Sequence, residues 1–404
     1  MIEATKLEVK EVVIAGGGMV GMGCALALAQ AGIESVLLES QSIDSDQVSK
    51  DVDDFDDRTL VVNPASELFW QNLGVWPELA GKLTPINKVH VSNQGHFGTV
   101  SFDAAQQKVS HLGQVVAAKD LAAILWQMIN DNPKITVLSP AKLQSFEQLD
   151  GGIKVEVESD NQTQQIHAQL LIAADGARSG IREQLALPTT IKSYQRKALV
   201  CNVTLANSHN NTAYERLTKT GPLALLPFKS GRYGLVWSVT DQQADELLEL
   251  PDDDLKAEIE LAMGPRLGRI STLGNRSHYP LYQVKVAQQI TPHVVLIGNA
   301  AHSVSPVSAQ GLNLAVRGIK RLVDVLSEAK QSGQSLADYA LLQQYQESSE
   351  ADQESTMNYT DDLMRWFQID TPIVNGLRSA GLLLIDSVPG LKRHLFLRAG
   401  GLKA

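Results

Sequence analysis

The residues best placed to do chemistry begin with three glycines. They stand at Gly16-x-Gly18-x-x-Gly21, directly after the apolar run Val12-Val13-Ile14. At this spacing Gly16 permits a tight turn, Gly18 lets the backbone approach a pyrophosphate, and Gly21 lets a helix pack closely on a strand. The N–H groups at the start of that helix then suit phosphate oxygens. Glu39 ends the next apolar run, where an acid hydrogen-bonds a ribose hydroxyl. An acid there disfavours a 2′-phosphate, so the expected ligand is FAD or NAD rather than NADP.

Other candidates follow along the chain. Arg58 precedes the apolar run Thr59–Val62, and its spacing leaves two readings open. It is a fork of donors for a dinucleotide phosphate, or a surface ion pair with the neighbouring aspartates. Asp175 closes a further apolar run, Ile166–Ala174, that resembles the dinucleotide end of a sheet again. Gly311 lies where another helix starts, a second site friendly to anions. The nine histidines are scattered without ligand spacing, so no metal site is expected. Asp44, Asp46, Asp51, Asp53, Asp54, Asp56 and Asp57 lack the pattern of a calcium loop and read as a solvated segment. His302, beside Asn299, reads as a packing or backbone-bonding residue rather than a base.

The elements that must position these groups are legible in outline. Strand, glycine turn, helix and strand over 11–40 make a βαβ unit. A helix is expected from Asn63 to Trp76 and another from Lys119 to Asn130. Val89, Val91, Val100 and Phe102 are expected to point one way along a hairpin. From Ile191 to about Gln283 strand-like segments surround one helical segment at Ala244–Met263, which suggests a β-rich insert. A helix follows Gly311 through Val325, and the chain from about Ser335 is helical. Over 373–395 apolar clusters alternate with basic residues. That pattern fits a membrane-surface helix, and equally a helix packed on the core.

Composition sets the outer bounds. The chain has 404 residues, 44% hydrophobic and 20% charged, with a net charge of −10. Its length suits two or three domains, and its charge argues against nucleic acid as a partner. Two cysteines build no disulfide framework, and Cys24 reads as a small core residue. With no signal-peptide pattern and no long apolar run, a cytoplasmic location is expected.

Three landmarks stand in order: GGGMVG at 16–21, AADG at 173–176 and GNAAHSVSPVSAQGLN at 298–313. Together they resemble the flavoprotein aromatic hydroxylases of the p-hydroxybenzoate hydroxylase group. DDRTLVV at 56–62, HLGQVVAAKD at 111–120 and ERLTKTGPLALLPF at 215–228 are similar to its ubiquinone-biosynthesis branch. The resemblance implies an α/β fold: a Rossmann-like FAD-binding domain, an inserted β-rich substrate domain and a C-terminal helical region. It places FAD binding in 1–85, 110–185 and 285–334, substrate in 86–109 and 186–284, and the helices in 335–404.

Carried over by position, Gly16, Gly18 and Gly21 hold the FAD pyrophosphate and Glu39 the adenosine ribose. Arg58 and Gln114 lie along the pyrophosphate and ribityl chain, and Asp175 belongs to a motif contacting FAD and NAD(P)H. Asn299 stands where most of the group has aspartate, and Ser308-Ala309 where Ala-Gly is usual. Pro306, Gly311, Leu312 and Asn313 lie against the flavin ring. The implied activity is hydroxylation of a polyprenylated methoxyphenol, with NAD(P)H as electron donor and O2 as co-substrate; the alternatives are an FAD-dependent reductase or dehydrogenase of a prenylated substrate, and a flavin-binding scaffold subunit of a biosynthetic complex. Tyr214, Arg216, Trp237 and Tyr279 are candidates for the substrate pocket. Other ubiquinone-biosynthesis proteins and the inner face of the cytoplasmic membrane are the partners implied.

Overall fold

The computed structural model describes residues 9–42, 57–304, 309–368 and 371–402. Pro306, Ser308 and the acidic segment before Asp57 lie outside the described residues. The glycine motif joins strand β1 (Val9–Ala15) to helix α1 (Met19–Gln30), and β2 (Ser35–Leu38) follows. Val12, Val13 and Ile14 are wholly buried, as a strand covered on both faces requires. Next come β3 (Thr59–Val62) and α2 (Pro64–Asn72). The Asn63 side chain accepts the Ser66 N–H at 3.0 Å and so caps α2. Strands β4 (Lys88–Asn93) and β5 (Thr99–Asp103) form a hairpin. They are followed by β6 (Gly113–Ala117), α3 (Ala118–Asn130), β7 (Ile135–Leu138) and β8 (Gln162–Ala173).

The insert begins with β9 (Thr189–Leu205), β10 (Thr212–Leu217), β11 (Pro222–Pro227) and β12 (Arg232–Thr240). Two helices come next, α4 (Asp241–Glu249) and α5 (Asp252–Met263), in place of the one expected over 244–263. Pro251 has no N–H to give and disfavours helix in the residue before it, so the chain breaks there. Strands β13 (Ser277–Val286) and β14 (Val294–Leu296) lead to α6 (Gln310–Gln331). α6 runs past Val325 because Leu326 and Ala329 still bury against the core. The chain ends in α7 (Tyr339–Gln368), α8 (Pro372–Ser387) and α9 (Pro389–Ala399).

Two large sheets carry these elements. In one, β14-β8-β1-β2-β7 run parallel, with α1 and α6 packed together on one side. In the other, the order is β13-β9-β12-β11-β10-β4-β5, antiparallel except where β10 meets β4. α4 and α5 cover one face of this second sheet. Leu199, Val203, Leu235 and Trp237 pack there against Leu255 and Ile259. Each large apolar side chain so buried contributes roughly 1.5–3 kcal/mol. Strand side chains alternate, so the residues between these point the other way, into a cleft.

α8 lies over the β4–β5 hairpin. The Asp386 carboxylate accepts the Ser101 N–H at 3.1 Å, and a side chain on Gly98 would meet the Ser379 carbonyl oxygen at 2.5 Å. α8 is thus packed on the sheet, while Leu377, Leu383 and Leu384 stay exposed on it. Among the described residues no helix is long and apolar enough to cross a membrane.

Candidate functional site: a cleft between the glycine loop and the second sheet

The glycine loop is shaped by close approaches. Gly16 has φ of 112°, and a Cβ on it would lie 2.4 Å from the Ala174 carbonyl oxygen. A Cβ on Gly21 would lie 1.9 Å from the Gly16 carbonyl oxygen, so helix and turn touch there. Gly18 differs. Its backbone is extended (φ −70°, ψ 173°), and an added Cβ would meet nothing within 4 Å. It opens onto the cleft and precedes α1, which no side chain caps. The first-turn N–H groups of α1 therefore suit an anion set against Gly18. Glu39 accepts the Gly17 N–H and the Gln41 N–H, each at 2.8 Å. Oε1 also accepts the Ser40 hydroxyl at 3.3 Å, so it is Oε2, with the Gly17 N–H alone, that keeps further acceptor capacity.

Arg58 is exposed into the same cleft. Its buried neighbour Asp57 pairs instead with Lys119 at 2.7 Å and Lys229 at 3.5 Å. Two acceptors nearby are unmatched among the described residues. Asp175 takes the Ile181 N–H at 3.3 Å on one oxygen, while its other oxygen is buried without a partner. The Gln114 side-chain oxygen is buried without one as well. Buried acceptors of this kind call for donors from elsewhere. A dinucleotide rich in hydroxyl and ring N–H groups carries such donors. With the open helix start at Gly18, these residues fit FAD.

The opposite wall is the start of α6. Asn299, Gly311, Leu312 and Asn313 line the cleft with Gly18 and Arg58. Asn313 is buried and ties this wall together. Its side chain donates to the Val61 and Ala309 carbonyls at 2.9 and 2.8 Å and accepts the Asn63 N–H at 3.0 Å. Ala309 sits in the left-handed region (φ 51°, ψ 37°), where a β-carbon costs about 1–2 kcal/mol. This is a position where the resembling group has glycine. His302 is buried, with no hydrogen bond to either ring nitrogen among the described residues, and burial pushes its pKa down to about 4. Packing is one of the two roles the sequence suggested for it; the other, a backbone hydrogen bond, is not made among the described residues. Burial likewise pushes the Cys24 thiol up to about 12, so it is an inert core residue.

Beyond Asn299 the cleft, of about 1560 Å³, spreads over the free face of the second sheet. Val89, Val91, Val100 and Phe102 all line it, as their alternation suggested. Tyr279 stands in this wall, 51% exposed. Two of the other pocket candidates require correction. Trp237 is buried under α4 and α5, on the opposite face. Arg216 also points away, donating to the Ala262 carbonyl at 3.1 Å and the Ser92 hydroxyl at 3.0 Å. Tyr214 borders the cleft, but its ring turns toward Tyr233 and His90 on that same far face. The residue between them was missed. Glu215 lines the cleft, and burial alone pushes its carboxyl up to about 6. The signal available for it was period two: if Tyr214 and Arg216 face the helices, Glu215 faces the cleft.

Comparison with known proteins agrees with this geometry. A family model described as an FAD binding domain matches residues 9–359. The chain is 30% identical to the 3-demethoxyubiquinol 3-hydroxylase of Escherichia coli, covering 97% of this chain and 98% of that protein. It is 29% identical to the ubiquinone hydroxylase UbiL of Rhodospirillum rubrum, covering 97% and 89%. The crystal structure of p-nitrophenol 4-monooxygenase PnpA from Pseudomonas putida superposes with a TM-score of 0.79 at 17% identity, covering 98% and 99% of the two chains. That last likeness is one of fold, the p-hydroxybenzoate hydroxylase type expected. Taken with the cleft, the family match and the curated relatives place the chain in the FAD-binding domain family, as an FAD-dependent aromatic monooxygenase.

Proposed function

We propose that this chain hydroxylates the aromatic ring of a polyprenylated methoxyphenol in ubiquinone biosynthesis, with NAD(P)H as reductant and O2 as oxidant. One observation carries the reading: a single cleft joins the open glycine loop to a broad apolar sheet face. FAD, when bound, supplies the activation of dioxygen that an electron-rich ring needs. The chain's own groups do the rest. Gly18 and the α1 amides hold the pyrophosphate, Glu39 the ribose, and Arg58, Gln114, Asp175 and Asn299 the remaining polar length. Gly311, Leu312 and Asn313 at the start of α6 lie against the ring system. Residues 1–85, 110–185 and 285–334 form the cofactor domain, and 86–109 with 186–284 the substrate domain.

The valines and Phe102 of the sheet exclude water from the reacting ring and accept an apolar substrate. The exposed leucines of α8 support contact with a lipid surface from which a prenylated substrate arrives. The names of the curated relatives support a ubiquinone precursor as that substrate, handed on among proteins of the same pathway. The test is oxidation of NAD(P)H by the FAD-loaded protein with a geranylated 2-methoxyphenol. Oxygen uptake matching NAD(P)H, and a product heavier by one oxygen, is the expected result. NAD(P)H oxidation with a reduced prenyl chain and no oxygen uptake would replace this reading with a reductase.

A further inference from the structure

One carboxylate on the cleft face has no structural reason to be there. Strand pairing sets seven residues side by side across the second sheet: Val100, Val91, Glu215, Ala224, Val236, Val200 and Ser277. Glu215 is the one charged member of that rung, set between apolar neighbours, while Ser277 is a hydroxyl three strands beyond Ala224. Among the described residues no group hydrogen-bonds its carboxylate. A partnerless carboxylate between methyl groups lowers stability. An apolar residue would complete the rung at no such cost, so the acid points to a ligand that supplies a donor.

We propose that Glu215 is a catalytic residue, accepting a hydrogen bond from the phenolic hydroxyl of the substrate and taking its proton as the ring is oxygenated. The inference rests on the phenol reading above. The O–H bond breaks toward the carboxylate, and its electron pair stays on the phenolic oxygen. That raises electron density at the ortho and para carbons, one of which bonds an electrophilic oxygen atom drawn from O2. The O–O bond breaks, and the second oxygen atom leaves as water with the two electrons that NAD(P)H supplies. The oxygenated carbon then loses its hydrogen to water as the ring regains aromaticity, and Glu215 returns its proton to the phenolate oxygen. The carboxyl ends as it began.

The surroundings permit this cycle. On its own strand Tyr214 and Arg216 face away, as do Lys88 and His90 on β4 and Asp103 on β5. β11 brings no titratable group beside it. Arg58, Tyr279 and, from α8, Arg378 line the same cleft. None of these charges shifts the carboxyl, which its apolar surroundings alone push up to about 6. A proton acceptor works best when its pKa lies near the working pH.

The experiment compares wild-type FAD-loaded protein with Glu215→Gln and Glu215→Asp. The probes are a geranylated 2-methoxyphenol and its O-methyl ether, titrated by the change in flavin absorbance from about pH 5 to 9. Wild type should prefer the phenol about tenfold or more above pH ~6, as a hydrogen bond to a charged acceptor implies. That preference should fade as pH drops and the carboxylate is protonated. Glu215→Gln should bind the ether unchanged, lose the preference and its pH dependence, and turn over about 100-fold more slowly. Glu215→Asp keeps the charge and should keep the pH dependence with weaker phenol binding. Glu215→Gln should also melt no lower than wild type, since a half-buried charge with no protein partner among the described residues is removed. Hydroxylated product from wild type, with Glu215→Gln keeping the phenol preference and pH profile, overturns the assignment alone. No hydroxylated product from wild type overturns the phenol reading and this assignment with it.

Discussion

Gly18→Val separates the work of the glycine loop from its folding. Gly18 is extended, in a region any residue adopts, and a Cβ there meets nothing within 4 Å. The cofactor-free fold should therefore change little. Ordering the unfolded chain favours the variant by about 0.4–1 kcal/mol, and loss of a glycine N-cap opposes it by a similar amount. The melting temperature of the cofactor-free protein should stay close to that of wild type. Flavin binding should not. The valine methyl groups fill the space in front of the α1 amides, where the pyrophosphate is expected. Two charge-assisted hydrogen bonds lost at about 1.5–3 kcal/mol each weaken FAD binding by two to four orders of magnitude. Gly21→Ala is the contrast. Its Cβ would lie 1.9 Å from the Gly16 carbonyl oxygen, so it should destabilise the fold itself by about 1–3 kcal/mol or more. The assay pairs FAD titration by fluorescence quenching with thermal melts of flavin-free protein. Gly18→Val protein that binds FAD as tightly as wild type would refute the placement of the pyrophosphate.

Other consequences are as direct. Asn313→Ala removes three hydrogen bonds that join α6 to Val61, Ala309 and Asn63; it should cost about 3 kcal/mol in a denaturant melt. Ala309→Gly relieves a left-handed alanine and should raise stability by about 1–2 kcal/mol by the same melt. His302 titrates near 4 in the folded state, below its ordinary 6.5. The unfolded chain therefore takes the proton first, and stability falls as pH drops from about 6.5 toward 4, by up to about 3 kcal/mol. His302→Phe should flatten that part of the stability–pH curve, measured by denaturant melts at each pH.

The cofactor half of the site was legible because its signal is local. Gly16, Gly18, Gly21 and Glu39 sit within one βαβ unit, where spacing and contact coincide. The hairpin valines were legible for a similar reason: Val89, Val91, Val100 and Phe102 alternate with polar neighbours, so one face is marked. β10 carries no such mark. In Thr212-Ala213-Tyr214-Glu215-Arg216-Leu217 both faces mix apolar and polar residues. Large aromatics then drew the reading to Tyr214 and Trp237, which fill the core beneath α4 and α5. Glu215 acquires its character only from its neighbours: Val91, which a strand far along the chain brings beside it, and Ala224, across the hairpin to the next strand. The break at Pro251 was readable from the residue itself. The packing of α8 on the β4–β5 hairpin was not, since nothing in an amphipathic pattern names the surface it covers.

The most direct test of ring hydroxylation uses isotopically labelled dioxygen. FAD-loaded protein would be given NAD(P)H and a geranylated 2-methoxyphenol, and the product examined by mass spectrometry. One labelled oxygen on the aromatic ring is the expected result. A reduced or unchanged ring, with NAD(P)H consumed and no label incorporated, would contradict it.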